Sequence, residues 1–562
     1  MRDKLQCKPK HTGIIASVVT FVCLIQSVVR PLYVDVDNYF ISLVANKMFA
    51  GEAQDGYILH LHPFLCKLLE GVLFINESAD CVLLVSALML SVAIWAIAYV
   101  IASNAKSYYE LLVYIVVFFA VVFVGDLFHD NYTRWAAFMT AAGVMVLLWD
   151  VHGKRYHRKH QVLAACLLSF GLMWRDEAFL VFIPFVGLDI VITFLKTAKE
   201  ERSQLVKQLG KIVAVPVMCV VFLGMVDCVV RQSEPYKEAI LYDDARVKVV
   251  DYAMKDWEEL EDVPEGISQN DYESAIKWIL LDTERMDAEY LLRINDAGEK
   301  KEFETSLKGV IGMQKRMLSV FLDSRYFHYL GILLILLFLI GLCRNYSVFR
   351  KIETILLFVG TDIIFLFFAY VGRAIDRGYI PAIYALLSTL VMLLLTENEE
   401  DKTRNIGMCL VVVLSVLAIG REVAFGNWSV GQSIFKAKTD AENVYATWCV
   451  DERLFIWDSN SYMLGPVRVF SEQGKLIPKE VLRHHMVAGS WNYGQVYFEQ
   501  YLESIDAKNP MVALLEREST LYVAEDGEEV LKYLQEHVEE NAIVEFAGEI
   551  YGNLVWRFSV AD

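Results

Sequence analysis

The stretch DVDNYFISLVANKMFAGEAQDGYILHLHPFLCKLLE, Asp35 to Glu70, directly follows the first long apolar run of the chain. It opens on two carboxylates, Asp35 and Asp37, and closes on His60, His62, Pro63 and Lys67. Charged and titratable groups set against a membrane span are costly unless they are paired or used. The stretch therefore reads as one half of a functional site held in place by what surrounds it.

What surrounds it is apolar. The 562-residue chain is 56% hydrophobic with a mean hydropathy of +0.38, against about 45–50% apolar residues in soluble domains. Mostly apolar windows near 12–32, 81–102, 111–125, 135–149, 162–174, 178–195, 211–229, 327–343, 352–371, 380–396 and 405–421 read as membrane spans. The expected fold is an α-helical polytopic membrane protein of about 11 transmembrane helices, followed by a C-terminal extracytoplasmic α/β domain. Residues 1–421 form the membrane domain, with an outer loop at 33–80 carrying juxtamembrane helices and a helical outer loop at 230–325. Residues 422–562 form the second domain, because RLFIWDS, VRVFSE, STLYVAE, NAIVEFAGE and LVWRFSV are strand-like and EEVLKYLQEHVEE is helical. Within the outer loop, DYESAIKWILLDTERMDAEYLLRI has helical periodicity, with Asp271 set to cap its start.

Charge sets the orientation. The N-terminus (Arg2, Lys4, Lys8, Lys10) and the loop HGKRYHRKH (His152 to His160) are basic, while the net charge of −18 gathers in the two long hydrophilic segments. Lys and Arg mark cytoplasmic loops, so the N-terminus is expected inside and the C-terminal domain outside. The expected location is a bacterial cytoplasmic membrane. An acidic chain without a basic stripe excludes nucleic acid as a partner. The ten cysteines show no paired spacing of a disulfide framework or zinc site.

Several outer loops carry residues suited to chemistry. Asp35 and Asp37 point the same way on extended backbone and could meet one ion or one hydroxyl; alternatively, Asp37 caps the helix that NYFISLVANKMFAG would form. His60 and His62 face one way if extended, as a metal pair or as polar anchors, and Lys67 could snorkel or meet a phosphate. GDLFHDNYTRW offers Asp126, His129, Asp130 and Arg134, with three on one face if helical and a solvated helix end as the plain alternative. WRDEAF confines Arg175, Asp176 and Glu177 between two apolar runs, either in a polar cavity or in a mutual salt bridge. Arg373 and Arg377 of YVGRAIDRGYIP share a helix face and could grip a phosphate by forked hydrogen bonds. Asp362 lies within its span as a further cavity-facing candidate.

Taken together, these residues resemble the GT-C class of membrane glycosyltransferases, in particular the protein O-mannosyltransferase branch and its bacterial relatives. Those enzymes carry an acidic pair just outside the first span and an HPPLGK-like segment after it. Here the corresponding elements are Asp35-Val36-Asp37-Asn38 and His62-Pro63-Phe64-Leu65-Cys66-Lys67, and Arg377 to Pro381 is similar to a late Arg-Tyr-Pro element. The acidic element is DxD rather than an adjacent pair, and Phe64 and Cys66 stand at the second proline and the glycine.

The resemblance implies transfer of a sugar from a polyprenyl-phosphate donor to a saccharide, lipid or protein acceptor. Asp37 or Asp35 would act as base, and Arg373, Arg377, Lys67 and His62 would bind the donor phosphate. Asp126, His129 and Asp130 would orient the acceptor or hold a divalent cation, Mg2+ or Mn2+. A transporter or flippase of lipid-linked saccharides, and a non-catalytic membrane scaffold, are the alternatives.

Overall fold

The computed structural model describes residues 36–47, 57–75, 81–105, 111, 113–114, 116–118, 131–234, 236–252, 254–260, 266–298, 307–323, 325–343, 347–370, 376–396, 402–421, 453–458, 484–488, 491–550 and 553–561. Two short helices come first, α1 (Val36–Ala45) and α2 (Pro63–Ile75), followed by α3 (Cys81–Asn104), α4 (Tyr132–His152) and α5 (Arg158–Trp174). The short α6 (Asp176–Leu180) runs into α7 (Phe182–Lys196), and α8 (Arg202–Arg231) completes the first group. Among the described residues, six helical stretches are long and apolar enough to cross a bilayer: Cys81–Asn104, Tyr132–His152, Asp176–Lys196, Lys199–Arg231, Val348–Tyr370 and Gly378–Thr396. Tyr329–Cys343 and Cys409–Ala418 are shorter apolar helices. The window expected at 12–32 lies outside the described residues, as does most of that at 111–125.

Burial separates centre from rim. The windows of Tyr132–His152 and Gly378–Thr396 are each 89% buried, whereas that of Lys199–Arg231 is only 17% buried. Val217, Val221 and Met225, one turn apart on α8, are exposed apolar side chains, as on a helix that faces lipid. Close packing at the centre depends on small residues. A Cβ built on Gly171 of α5 would stand 2.1 Å from Thr140 Oγ1 of α4, so only glycine admits this approach.

Beyond α8 come α9 (Tyr236–Val250), α10 (Gln269–Ile276) and α11 (Ala288–Ala297). Two helices replace the single one that periodicity suggests over 271–294. Ser268 is the N-cap of α10, accepting the Asp271 N–H at 3.1 Å, and Asp271 returns the bond to the Ser268 N–H as the second half of a capping box. Asp271 is also gripped through two nitrogens by Arg285 at 2.9 and 2.8 Å. The chain then re-enters the bundle as α12 (Leu307–Asp323), α13 (Arg325–Cys343), α14 (Val348–Tyr370), α15 (Asp376–Thr396) and α16 (Lys402–Arg421).

The C-terminal part is a five-stranded mixed sheet of order β2-β1-β3-β5-β4, built from β1 (Leu454–Trp457), β2 (His485–Val487), β3 (Thr520–Val523), β4 (Ala542–Ile550) and β5 (Asn553–Val560). β1 runs parallel to β2 and β3, whereas β5 is antiparallel to β3 and β4. Helices α17 (Val496–Ser504), α18 (Pro510–Glu516) and α19 (Glu528–His537) complete it. The expected strand VRVFSE lies outside the described residues, and the short β2 carries no strong strand pattern of its own.

The helical loop and this domain pack as one unit. Asp282 accepts from Asn509 Nδ2 at 2.9 Å and from the Tyr533 hydroxyl at 3.1 Å, and the Met511 N–H donates to the Leu281 carbonyl at 3.2 Å. At the opposite end of the bundle lies a buried ionic network. Asp189 of α7 meets His152 Nε2 at 2.7 Å and Arg350 Nη1 at 2.9 Å, Arg350 also pairs with Glu353, and His152 Nδ1 lies 2.9 Å from Thr396 Oγ1.

Candidate active site

Asp37 lies in the first turn of α1, so it is inside the helix rather than capping it. A carboxylate there is favoured by the N-terminal partial positive charge. The helix ends at Ala45, and Lys47 turns the chain with φ 54°, earlier than the glycine at 51 would suggest. The neighbouring Asn38 is buried and accepts the Tyr132 N–H at 2.9 Å, which fixes α1 to the start of α4. Asn131 caps α4 by accepting the Arg134 N–H at 3.1 Å. Tyr132 in turn accepts from Arg175 Nη1 at 2.7 Å, and Arg175 Nε reaches Glu177 at 2.8 Å. The first and third expected outer loops thus meet at one end of the bundle.

His60 joins them. Its ring stands edge-on to Trp491 at 4.9 Å, and Trp491 also meets Phe40 of α1 at 6.4 Å. Burial first, then the positive field of Arg175, pushes the His60 pKa well below its ordinary value; Asp37 opposes this, while Arg246 and Arg231 add to it. The imidazole is therefore neutral at physiological pH, and three arginines and one aspartate act on it.

Two of those arginines come from beyond the loops singled out in the sequence. Arg231 ends α8 and pairs with Asp227 at 2.7 Å. Arg246, on α9, is buried and held by Asp243 at 3.0 and 2.7 Å, and its plane lies over Trp278. Its Nη1 has no hydrogen-bond partner among the described residues, nor has the indole N–H of Trp491, which is 5% exposed. Leaving a buried donor unpaired costs about 1–3 kcal/mol, so these two mark places where a ligand oxygen would be accepted. The C-terminal segment reaches this position because Gly494, with φ +74°, lies against the Tyr242 ring, one turn before Arg246; a Cβ there would clash at 2.8 Å.

The other candidates lie as follows. His62 does not share a direction with His60, because Leu61 N–H donates to the Ile58 carbonyl at 3.0 Å and closes a turn between them. Its Nδ1 accepts the Phe64 N–H at 3.0 Å and its Nε2 donates to the Leu223 carbonyl at 2.9 Å, while its own N–H reaches the Met173 carbonyl. His62 thereby ties α2 to α5 and α8. Lys67 is exposed and pairs with Glu70 at 2.8 Å. Asp362 receives Gln314 Nε2 at 3.1 and 2.9 Å, which joins α14 to α12. Asp176 is close enough to Arg231 for each to feel the other's charge. Arg377 falls in the first turn of α15, though its side chain lies outside the described residues, as do Asp35, Asp126, His129, Asp130 and Arg373.

Replacing His62 by alanine should cost about 1–3 kcal/mol of stability, as expected for a buried group whose partners are left unpaired. Thermal unfolding in detergent measures this. Affinity for a polyprenyl phosphate should stay within a few-fold of wild type if tethering is the role of His62, whereas a tenfold loss would put it on the donor phosphate.

Arg231, Arg246 and Trp491 escaped the sequence reading. Arg231 carried a usable signal, since an arginine at the end of a span that the charge pattern puts outside runs against the positive-inside bias. Arg246 reads as one more charge on a polar helix, and nothing in the sequence joins Trp491 to the first loop.

Asp150, His157 and His160, whose side chains could together hold a metal ion, lie at the other end of α4 and α5. A partly open apolar pocket within the bundle is lined among others by Ile97, Phe138, Met145, Leu337, Tyr384 and Leu394, and it includes none of the residues around Asp37.

No family model and no curated protein matches the chain. The chain is similar to two crystal structures of ArnT from Cupriavidus metallidurans. The form bound to undecaprenyl phosphate is 10% identical over 97% of both chains with a TM-score of 0.48. The apo form is 10% identical over 96% of this chain and 97% of that one, with a TM-score of 0.37. At these scores the likeness carries no weight for the chemistry.

Proposed function

We propose that the chain is a GT-C-type membrane glycosyltransferase that moves a sugar from a polyprenyl-phosphate donor to an acceptor at the outer membrane face. The observation that carries this reading is the junction at Asp37, a half-buried carboxylate beside a neutral histidine. The charges of Arg175, Arg231 and Arg246 all act on the buried His60, and that of Asp37 acts on both His60 and Arg175.

In the proposed reaction, Asp37 takes the proton of the acceptor hydroxyl while its oxygen attacks the anomeric carbon. The sugar–phosphate bond breaks with inversion, and the lipid phosphate leaves as an anion. Asp37 can serve as base because a carboxylate near a reacting hydroxyl needs only hydrogen-bond reach and a suitable pKa. Arg175 and Arg231 stabilise charge on the departing phosphate, joined by Arg373 and Arg377 if those side chains turn toward the same end. Asp35 supports Asp37, and Asp126, His129 and Asp130 remain proposed for the acceptor or a divalent cation. The outward orientation and a bacterial cytoplasmic membrane belong to the same proposal.

Arg246 and Trp491 are assigned to the acceptor. Their free N–H groups suit an oxygen-rich, anionic partner, such as a phosphorylated or carboxylated glycan or lipid. Arg246→Gln and Trp491→Phe should each raise the acceptor KM by roughly 10–100-fold, the loss of a hydrogen bond to a charged group, without changing donor affinity.

The test of the reaction uses purified chain in lipid with a polyprenyl-phosphate sugar labelled in the sugar. Release of unglycosylated lipid phosphate together with labelled acceptor supports transfer. Movement of intact donor across the bilayer without bond cleavage would replace the reading with transport.

A further inference from the structure

We propose that Asp150, His157 and His160 form a binding site for a divalent transition metal, Zn2+ fitting best, at the end of the bundle opposite Asp37. Asp150 is buried near the end of α4, and its Oδ1 meets both His157 Nδ1 at 2.9 Å and His160 Nδ1 at 2.8 Å. One ligand atom from each of the three residues lies within 4.8 Å of the others.

The frame is built before any ion arrives. The Asp150 Oδ2 accepts the His157 N–H at 3.2 Å, so the carboxylate also fixes the chain entering α5. His157 stands at the N-cap position of α5, but its side chain makes no capping bond, which leaves the ring for another use. The His160 ring is stacked on Trp149 at 4.5 Å and flanked by Tyr99. Rigid second neighbours of this kind hold a ligand ring in its binding orientation.

Chemistry and spacing select the ion. Two imidazoles and a carboxylate form a donor set typical of zinc with one open position. Ligand atoms around a tetrahedral ion with ~2.0 Å bonds stand roughly 3.3 Å apart, so the present nitrogen–oxygen separations need open by only about 0.5 Å. His157 is half exposed, which leaves a side for water as fourth ligand. The surrounding loop is basic, with Lys154, Arg155, Arg158 and Lys159. It disfavours a loosely held, oxygen-seeking ion such as Mg2+ or Ca2+ and leaves ions that bond strongly to imidazole. The hairpin that the metal would clamp, α4 with α5, presents Tyr132 and Arg175 at its other end.

The experiment uses tag-free, EDTA-treated full-length protein in detergent at neutral pH, titrated with Co2+ and then competed with Zn2+. Wild type should take up one equivalent, with the visible absorption of four-coordinate cobalt. Asp150→Asn and His160→Ala should weaken binding by roughly 100-fold or more, and His157→Ala, at the exposed ligand, by at least about tenfold. Metal-free melting curves report whether each variant is folded, and His157→Ala carries the test if a buried variant is not. Wild type that takes up no ion at several-fold molar excess, or a folded His157→Ala variant that binds like wild type, would overturn the proposal. Neither result bears on the reaction at Asp37.

Discussion

Asp37→Asn should lower kcat/KM for sugar transfer by about 10²–10⁴-fold, the usual contribution of a positioned base, while leaving the protein folded and able to bind donor. That loss corresponds to about 2.7–5.5 kcal/mol of transition-state stabilisation. Asparagine preserves the shape of the side chain and its hydrogen-bonding ability in the first turn of α1, and it forfeits only the charge. The cost to stability should therefore be confined to the favourable interaction of a carboxylate with a helix N-terminus, about 0.3–1 kcal/mol. Single-turnover transfer, donor binding and thermal unfolding measured on one preparation separate the two effects. Asp35→Asn is the natural comparison, since a smaller loss there would assign the base to Asp37. Equal turnover by both variants and wild type would remove these carboxylates from the chemistry.

The second large effect concerns stability. Arg350→Met should destabilise the bundle by about 3–5 kcal/mol, the cost of leaving a buried charge without its partner. Asp189 is fully buried and bonded to Arg350 and His152, and Glu353 on the next turn is buried beside them. The same principle predicts a rescue. Combining Arg350→Met with Asp189→Asn and Glu353→Gln removes the formal charges together and should recover most of the loss, because neutral replacement of a whole buried ion network is often close to neutral. Thermal unfolding in one detergent, with and without the added substitutions, decides this. A rescue that fails would mean that the network contributes directional hydrogen bonds that neutral groups cannot reproduce.

Much of the fold was legible because a bilayer imposes simple demands. Long apolar windows had to be helices, and the structure has them at Cys81–Asn104, Tyr132–His152 and Val348–Tyr370. Strand-like runs such as STLYVAE and LVWRFSV were expected as strands, and they are β3 and β5. Local chemistry was harder to read. Asp37 had the composition of a cap, yet the helix begins one residue before it. His60 and His62 had the spacing of a pair, yet a single turn sends one to Trp491 and the other to a helix carbonyl. For the candidate site, the cluster of Arg175, Asp176 and Glu177 was visible because three charges between apolar runs have few places to go. Arg246 and Trp491 were not visible, since their nearness to His60 depends on tertiary docking of α9 and the C-terminal segment. No local pattern encodes that docking.

The contact between His60 and Trp491 has a consequence for biogenesis. The two residues are separated by about 430 positions of chain, so the ribosome delivers the carboxylate end of the site long before the tryptophan that closes it. Domains form largely in the order of synthesis, and a nascent or truncated chain would present Asp37 and Arg175 without their outer wall. Such a chain lacks the proposed acceptor hydrogen bond from Trp491, so in the proposed reaction it would engage acceptor more weakly while donor binding is unchanged. Full acceptor recognition, in the proposed reaction, therefore comes only with the segment that is made last.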